Sequence, residues 1–228
     1  MIEVPTLDAS GAVAEALATA GIPMSKVGRC RGERLGQGER ELYVWMLRSF
    51  VSESPASQEA IRAEASRLGL DLDQTREKLA SEDLIHFDDE GEIAVAYPFS
   101  GRSTRHRVLI EGHTVHAMCA IDALGVAPMF EQAIVISSRD PLTDAEISVL
   151  VQPDGTGTWQ PNEPVVVTGR AYAEGAAFQG CCQVLNFFAS RENAEQYLLE
   201  HEDVSGFPIT MPQAVELGRA IFGEVLKN

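Results

Sequence analysis

The segment Ala117-Met-Cys-Ala-Ile-Asp-Ala-Leu-Gly125 lies where the sequence changes from a strand pattern to a helix pattern. Residues 107–116 before it alternate between apolar and polar side chains, and this alternation predicts two short strands around a turn near Glu111-Gly112. The spacing of apolar residues from Met118 to Leu124 predicts a short helix that ends at Gly125.

Cys119 and Asp122 are the residues of this segment that can carry chemistry. We expect Cys119 in the first turn of the helix, where free backbone N–H groups and the positive end of the helix dipole favour a thiolate. Asp122 follows three residues later and therefore lies on the same face of the helix. A nucleophilic sulfur and a carboxyl group within reach of each other form a reactive pair.

The composition is that of an acidic globular protein. With 228 residues, of which 45% are hydrophobic, the chain is long enough for a sizeable core in one large domain or in a small and a larger one. The net charge of −16 is spread over both halves, which argues against nucleic-acid binding. We interpret the basic cluster of residues 102–107 as a solvated strand edge.

No part of the sequence is typical of a membrane protein or a secreted protein. The chain has no run of 18 apolar residues, so no transmembrane helix is predicted. The first residues lack a basic segment followed by an apolar one, so no signal peptide is indicated. We therefore expect a cytoplasmic protein without a membrane partner.

Residues 39–98 show the element order of a winged helix. Helices are predicted at residues 39–51, at residues 57–68 and from Asp71 or Asp73 onward, and a hairpin at residues 84–87 and 93–97. The third helix of such folds often binds DNA, but here residues 71–83 hold five acidic and two basic side chains. We therefore expect this helix to pack against the protein rather than to bind nucleic acid.

The regions on either side complete an α+β fold. Residues 1–38 are interpreted as an N-terminal extension and linker, with a helix at 12–20 that Gly21 closes and a Gly-rich charged stretch at 30–38. Residues 99–228 are interpreted as a mixed α/β domain with a largely antiparallel sheet. Its strands are predicted at 133–137, 147–151, 164–168 and 181–188, and its later helices at 191–201 and from about Pro212.

The four cysteines are too few for a disulfide scaffold in a cytoplasmic chain. Cys30 has no nearby histidine or cysteine, and we interpret it as structural or incidental. Cys181 and Cys182 would point to opposite faces of a strand, so only one of them is expected to share a pocket with Cys119.

Four kinds of chemistry compete at these thiols. A zinc site is suggested by His113, His116 and Cys119, although residues three apart on a strand face opposite ways. A cysteine hydrolase would need a base, and no histidine carries a motif that marks it as one. A thiol-redox site usually has a CxxC signature, which is missing. Two thiolates with a carboxyl group as proton donor instead suit a soft metal ion.

Three segments resemble the organomercurial (alkylmercury) lyases, namely Ala117–Leu124, Val135-Ile-Ser-Ser138 and Cys181-Cys-Gln-Val-Leu-Asn-Phe-Phe-Ala-Ser190. The resemblance covers about residues 40–225 and implies a winged-helix-like three-helix domain at 39–98 followed by a catalytic domain at 99–228. Residues 116–118 depart from the family, which often has aromatic residues there. We expect these positions to shape the pocket for the organic group of the substrate, so the departure bears on which organic groups this chain accepts.

The resemblance implies protonolysis of a carbon–mercury bond, with release of a hydrocarbon and of Hg²⁺. Cys119 and Cys181 match the two mercury-binding cysteines, Asp122 matches the proton-handling aspartate and is a further candidate ligand, and Cys182 matches a non-essential neighbour. No cofactor is implied. The expected partners are the organomercurial, cellular thiols and a mercuric reductase that accepts Hg²⁺.

Two other functions remain open from the sequence. The chain is either a lyase, a non-catalytic mercury- or soft-metal-binding winged-helix protein, or a diverged member of the family that acts on another carbon–heteroatom bond. The presence of Asp122 favours the enzyme, because binding alone requires only the thiols.

Overall fold

The computed structural model describes residues 11–22, 27–28, 31–52, 54–171 and 176–227. The helices are α1 Gly11–Ala20, α2 Gln37–Ser52, α3 Gln58–Arg67, α4 Leu72–Ser81, α5 Ala120–Phe130, α6 Cys181–Val184, α7 Arg191–Glu200 and α8 Met211–Phe222. The strands are β1 Ile85–Phe87, β2 Ile93–Ala96, β3 Phe99–Ser100, β4 His106–Ile110, β5 His113–Ala117, β6 Ile134–Arg139, β7 Glu146–Val151, β8 Gly157–Gln160, β9 Val165–Ala171, β10 Phe187–Phe188 and β11 Val204–Thr210.

The strands form two antiparallel sheets. The larger sheet has eight strands in the order β1-β2-β3-β5-β4-β6-β7-β8, and the smaller has three in the order β10-β9-β11. Neighbouring strands are antiparallel throughout both sheets. The prediction of an α+β fold with a largely antiparallel sheet is therefore confirmed.

The hairpin that leads to Cys119 has the predicted form. Strands β4 and β5 pair with Val108 opposite Val115, and both of these side chains are buried. Glu111 and Gly112 connect the strands with φ values of 49° and 85°. Two successive positive φ angles give a turn whose twist matches that of the strands, and glycine adopts the second without strain.

The helices and the hairpin expected at residues 39–98 are present, with helix N-caps at Ser57 and Asp71. The strands β1 and β2 do not form a separate wing, because they continue through β3 into the same sheet as β5. The region therefore shares its sheet with the strand that precedes Cys119. The winged-helix assignment and the boundary near residue 98 stay predictions.

Helix α5 continues through Gly125 to Phe130, so the predicted end at Gly125 is wrong. The reason is tertiary packing against α8. A β-carbon on Gly125 would lie 3.1 Å from the carbonyl oxygen of Gly218, and one on Gly218 would lie 2.9 Å from the nitrogen of Gly125. These glycines therefore allow the two helices to approach closely, and Gly125 serves packing rather than termination.

The strand predicted at residues 181–188 is also wrong over most of its length. Cys181–Val184 form the short helix α6, and only Phe187–Phe188 pair with β9. A short apolar run fits a buried helical turn as well as a strand, and here the tertiary contacts decide the outcome.

The remaining predictions divide between confirmed and missed elements. Helix α1 ends before Gly21, which has a φ of 67°, and α7 begins after the N-cap Ser190, both as expected. Strands β3, β8 and β11 were not predicted.

Cys30 lies outside the described residues. Within the described part of the chain, no helix is both long and apolar enough to cross a membrane.

Candidate active site

A cavity of about 380 Å³ opens beside the N-terminus of α5. Its walls come from the end of α1, from α5, α6 and α8, and from the segments before β1 and β3. The lining residues with polar or aromatic side chains are Arg31, Asp83, Tyr97, Cys119, Asp122, Arg170, Cys181, Cys182 and Phe222. The predicted site residues Cys119, Asp122 and Cys181 therefore line one cavity, and so does Cys182. The two cysteines of the pair lie about 60 positions after Cys119 and Asp122 in the sequence.

Cys119 is the N-cap of α5 rather than a residue of its first turn. Its backbone is extended, with φ −151° and ψ 178°, and its Sγ accepts a hydrogen bond of 3.3 Å from the N–H of Asp122. Asp122 lies in the first turn and is 5% exposed, while Cys119 is 1% exposed. The spacing of three residues thus brings the thiol and the carboxyl group together as predicted, with the cysteine acting as the cap.

Backbone hydrogen bonds attach α6 to the same end of α5. The N–H of Ala120 donates to the carbonyl oxygen of Leu185 at 2.8 Å, and the N–H of Leu185 donates to that of Cys181 at 3.0 Å. The side chain of Asn186 closes the turn by donating to the carbonyl oxygen of Gln183 at 2.8 Å. The residues that flank the cysteine pair are therefore fixed directly beside Cys119.

Three of the side chains that line the cavity converge. The Sγ atoms of Cys119 and Cys182 and a carboxylate oxygen of Asp122 all lie within 4.8 Å of one another. The Cys182 thiol donates to Oδ2 of Asp122 at 3.7 Å. The Cys181 thiol instead donates to the carbonyl oxygen of Ala177 at 3.6 Å. The sequence had assigned the second thiol to Cys181, which lines the cavity without joining this group.

Burial dominates the protonation of the site. Burial raises the pKa of the Cys119 thiol to about 12, so the thiolate expected from the helix terminus is not favoured. Burial also raises the pKa of Asp122 to about 6, against the hydrogen bond from Cys119 and the positive charge of Arg31, which both lower it. The site therefore holds neutral thiols beside a carboxyl group that exchanges protons near neutral pH.

Arg31 is a cavity residue that the sequence did not reveal. It is 5% exposed, and its guanidinium carbon lies 5.2 Å from the ring centre of Tyr97 and 5.1 Å from that of Phe222. These stacked contacts stabilise a buried cation. Arg31 belongs to a stretch that composition predicted to be a linker, because its Gly and charged residues carry no periodic apolar signal.

The segment before the cysteine pair is held by residues from the N-terminal half. The hydroxyl oxygen of Tyr97 accepts from the N–H of Phe178 at 2.8 Å, and Oδ2 of Asp83 accepts from the N–H of Ala177 at 3.4 Å. Oδ1 of Asp83 also contacts Nε2 of His86 at 2.7 Å. No sequence motif indicated the hydrogen bonds from Phe178 to Tyr97 and from Ala177 to Asp83, since they join positions 81 and 94 residues apart.

The histidines do not enter the site. The group of convergent ligand atoms contains Cys119, Asp122 and Cys182, whereas Nδ1 of His116 accepts from the N–H of Thr104 at 3.0 Å. His106 lies behind the cysteine turn, with Nε2 3.2 Å from Oδ1 of Asn186 and Nδ1 3.0 Å from Oγ of Ser138. The geometry thus favours neither the zinc site through His113 and His116 nor a cysteine–histidine hydrolase.

Comparisons with known proteins agree with this architecture. The family described as MerB, alkylmercury lyase, matches residues 99–223. An alkylmercury lyase of Staphylococcus epidermidis is 26% identical over 187 residues, which are 80% of this chain and 84% of that protein. One of Streptomyces lividans is 23% identical over 188 residues, 82% of this chain and 85% of that protein.

A solved structure has the same fold. The mercury-bound form of MerB2 superposes with a TM-score of 0.69 at 19% identity, covering 95% of this chain and 97% of that one. At this identity the similarity concerns the fold, while the family match rests on the sequence. This chain belongs to the alkylmercury lyase family.

Proposed function

We propose that this protein is an organomercurial lyase that cleaves carbon–mercury bonds by protonolysis. The observation that carries the proposal is the convergence of two thiols and a carboxyl group, within 4.8 Å of one another, in a buried cavity of a family member. Thiolates are the protein ligands that soft ions prefer, and a carboxyl group beside them can serve as a proton carrier.

The first step is capture of the substrate by Cys119. In the cell an organomercurial travels as its thiol complex, R–Hg–SR′. The Cys119 sulfur bonds to mercury and displaces R′S, which leaves as R′SH with the proton of the Cys119 thiol. This exchange needs no free thiolate in the resting protein, in keeping with the raised pKa of Cys119.

The second step breaks the carbon–mercury bond. A thiol of the Cys181-Cys182 pair, which the family resemblance assigns to Cys181, transfers its proton to Asp122 and bonds to mercury. Added electron density on mercury weakens its bond to carbon, and the Asp122 carboxyl protonates the carbon. The sum is R–Hg–SR′ plus two cysteine thiols giving RH, R′SH and Hg²⁺ held by two thiolates, with Asp122 again a carboxylate.

The cavity supplies the conditions for this chemistry. The reacting groups are buried, so water does not compete for mercury or for the proton. A pKa of about 6 lets Asp122 accept a thiol proton and release it again near neutral pH. The volume of about 380 Å³ leaves room for an alkyl or aryl group beside the three reacting side chains.

We expect the enzyme to act in the cytoplasm without a resident cofactor and to pass Hg²⁺ to cellular thiols or to a mercuric reductase. The winged-helix-like region serves packing in this proposal, as its acidic third helix indicates. Asp83 and Tyr97 give that region a place in the cavity wall.

The test is incubation of the purified protein with phenylmercuric acetate and excess thiol, followed by gas chromatography of benzene. Release of many equivalents of benzene per protein supports the lyase. Mercury retained at one equivalent without benzene would identify a non-catalytic binding protein. Neither benzene nor retained mercury would contradict both functions and would favour a diverged substrate.

A further inference from the structure

We infer that residues 20–22, at the end of helix α1, form the wall against which the organic group of the substrate binds, and that this wall favours aryl groups over methyl. The inference rests on the proposed function and names the substrate class that the site takes. Residues 20–22 lie outside the family match, which spans residues 99–223, and outside the part of the chain that resembles the lyases by sequence.

The lining of the cavity has a reactive part and an apolar part. The reactive part holds the thiols of Cys119 and Cys182 and the carboxyl group of Asp122. The apolar part includes Ala20, Ile22, Ala171, Leu185, Ile221 and Phe222. An apolar wall binds a hydrocarbon group because the transfer of that group out of water is favourable. The cavity therefore offers a place for the organic group in the same space as the reacting side chains.

The bonding of mercury directs the organic group into this cavity. Two-coordinate mercury is linear, so a substrate captured by Cys119 points its carbon away from that sulfur. Cys119 is 1% exposed, and the cavity is the open space beside it. The sequence pointed to residues 116–118 as the pocket for the organic group, but none of these described residues lines the cavity. His116 is instead bonded to Thr104 through Nδ1, at 3.0 Å.

The end of α1 is held in place by its own cap and by β9. The N–H of Gly21 donates to the carbonyl oxygen of Ala18 at 3.1 Å, and the N–H of Ile22 donates to that of Leu17 at 2.9 Å. With Gly21 at a φ of 67°, these two bonds form a Schellman cap. The buried hydroxyl of Thr168 in β9 donates to the carbonyl oxygen of Ala16 at 3.1 Å. Residues 20–22 are therefore a preformed wall.

The preference for aryl groups follows from how far the organic group extends. Ala20 and Gly21 have no side-chain atoms beyond a β-carbon, so they leave space in front of the wall. A phenyl ring extends several bonds from mercury and buries apolar surface against the wall. A methyl group ends at the first carbon atom, so it contacts less of the wall and gains less from burial.

The experiment compares Ala20→Leu with Ala18→Leu, the same substitution at an exposed position of the same helix that does not line the cavity. The release of benzene from phenylmercury and of methane from methylmercury, with excess glutathione, gives kcat/KM for each substrate. In Ala20→Leu, which fills the space before the wall, the phenyl-to-methyl ratio should fall by at least about 10-fold. In Ala18→Leu it should stay within about twofold of the wild type. The ratio cancels the different reactivities of the two carbon–mercury bonds and any general loss of active protein.

An unchanged ratio in Ala20→Leu, or an equal fall in both variants, would overturn the inference. Far-ultraviolet circular dichroism checks folding, and Ile22→Ala replaces an unfolded Ala20→Leu. Ile22→Ala removes apolar contact from the wall, and the phenyl-to-methyl ratio should then fall by at least about fourfold, the value for one buried CH₂ group.

A capture measurement keeps the inference testable if the wild type releases no hydrocarbon, a result that would refute the proposed function alone. Each protein receives one equivalent of the phenylmercury or methylmercury complex of glutathione, and the rate at which titratable thiol is lost is measured. We expect Ala20→Leu to slow capture of phenylmercury more than capture of methylmercury, and Ala18→Leu to slow neither. Equal slowing of both substrates by Ala20→Leu would contradict a role of the wall in selecting the organic group.

Discussion

At the scale of single residues, burial and the helix terminus act on Cys119 in opposite directions. A helix N-terminus stabilises a nearby negative charge by at most about 2 kcal/mol. The rise of the Cys119 pKa from 9.0 to about 12 corresponds to about 4 kcal/mol against the thiolate. Desolvation therefore prevails, and the resting site keeps the protons that protonolysis consumes.

Asp122→Asn tests the proton carrier. The amide keeps the shape of the side chain but cannot carry a proton to carbon, so we expect hydrocarbon release to fall by about 100-fold or more. Capture of the organomercurial should persist, because the thiols remain. Benzene release and mercury retention, measured on the same samples, separate the two effects.

Asp144→Asn is the matched control for this substitution. Asp144 is exposed, has a φ of 58° that asparagine adopts readily, and pairs with Arg139, and neither residue lines the cavity. It should leave benzene release unchanged. Turnover by Asp122→Asn at the wild-type rate would remove Asp122 from the proton route.

At the scale of elements, the site depends on how α6 and the 3₁₀ turn Ala177–Gln179 before it are held. Tyr97, in the segment between β2 and β3, accepts the hydrogen bond from Phe178 at 2.8 Å. Burial raises the pKa of the Tyr97 hydroxyl, so it stays protonated and remains a neutral acceptor. An element of the N-terminal half thus positions the cysteine pair.

Tyr97→Phe removes this acceptor and leaves the N–H of Phe178 without it. An unpaired N–H costs about 1–3 kcal/mol, and we expect the turn to loosen and kcat to fall by about 10-fold. Capture by Cys119, measured as loss of titratable thiol after one equivalent of organomercurial, should be unchanged. A parallel fall in capture would instead indicate a general structural defect.

Tyr43→Phe provides the control for the loss of a buried hydroxyl. Tyr43 is fully buried in α2, and its hydroxyl has no hydrogen-bond partner within the described part of the chain. Its removal should leave kcat and the free energy of unfolding nearly unchanged. Equal effects of the two substitutions would contradict a specific role for Tyr97.

The packing of α5 on α8 supports the other side of the site. Gly125→Ala places a methyl group against Phe222 and 3.1 Å from the carbonyl oxygen of Gly218. Such overpacking typically costs about 1–3 kcal/mol, which urea denaturation measures as a lower midpoint. Gly11→Ala in α1 is the control, because none of the described residues lies within 4 Å of the added methyl group, and it should be neutral or slightly stabilising.

At the scale of the whole molecule, the buried His106 links stability to pH. Burial lowers the pKa of His106 from 6.5 to about 3 in the folded protein, against the hydrogen bond to Asn186, which raises it. Between these values the unfolded chain binds a proton that the folded protein does not. The stability is therefore fully present above about pH 6.5 and is lost as the pH falls towards 3.

We expect this histidine to lower the free energy of unfolding by a few kcal/mol between pH 7 and pH 4, to an order of magnitude. His106→Gln should reduce that slope, although its stability at pH 7 is lower because the contacts to Asn186 and Ser138 change. Urea midpoints across the pH range provide the measurement. His113→Gln, a substitution on β5 outside this network, should keep the wild-type slope.

Asp122 changes the stability with pH in the direction opposite to His106. Its folded pKa of about 6 lies above the ordinary 3.8, so the folded protein binds the extra proton, and stability falls as the pH rises from about 4 through 6. Asp122→Asn should therefore make acid destabilisation steeper than in the wild type. A shallower slope in that variant would mean that Asp122 is ionised in the folded protein.

The sequence by itself determined the features that depend on neighbouring residues. Apolar periodicity located α3, the capping residue Ser190 located the start of α7, and alternation located the hairpin before Cys119. The spacing of Cys119 and Asp122 fixed their contact, because an N-cap side chain accepts a hydrogen bond from the backbone N–H three residues later. The motifs also led to the family.

Only the tertiary structure decided which distant groups meet. A short, mainly apolar run does not distinguish a helical turn from a strand, so the facing of Cys181 and Cys182 depended on contacts with Ala120 and on the turn at Ala177. The burial of Arg31 and the place of Tyr97 likewise depend on chain segments far apart in the sequence. Desolvation, which sets the protonation of Cys119, exists only once those segments have packed.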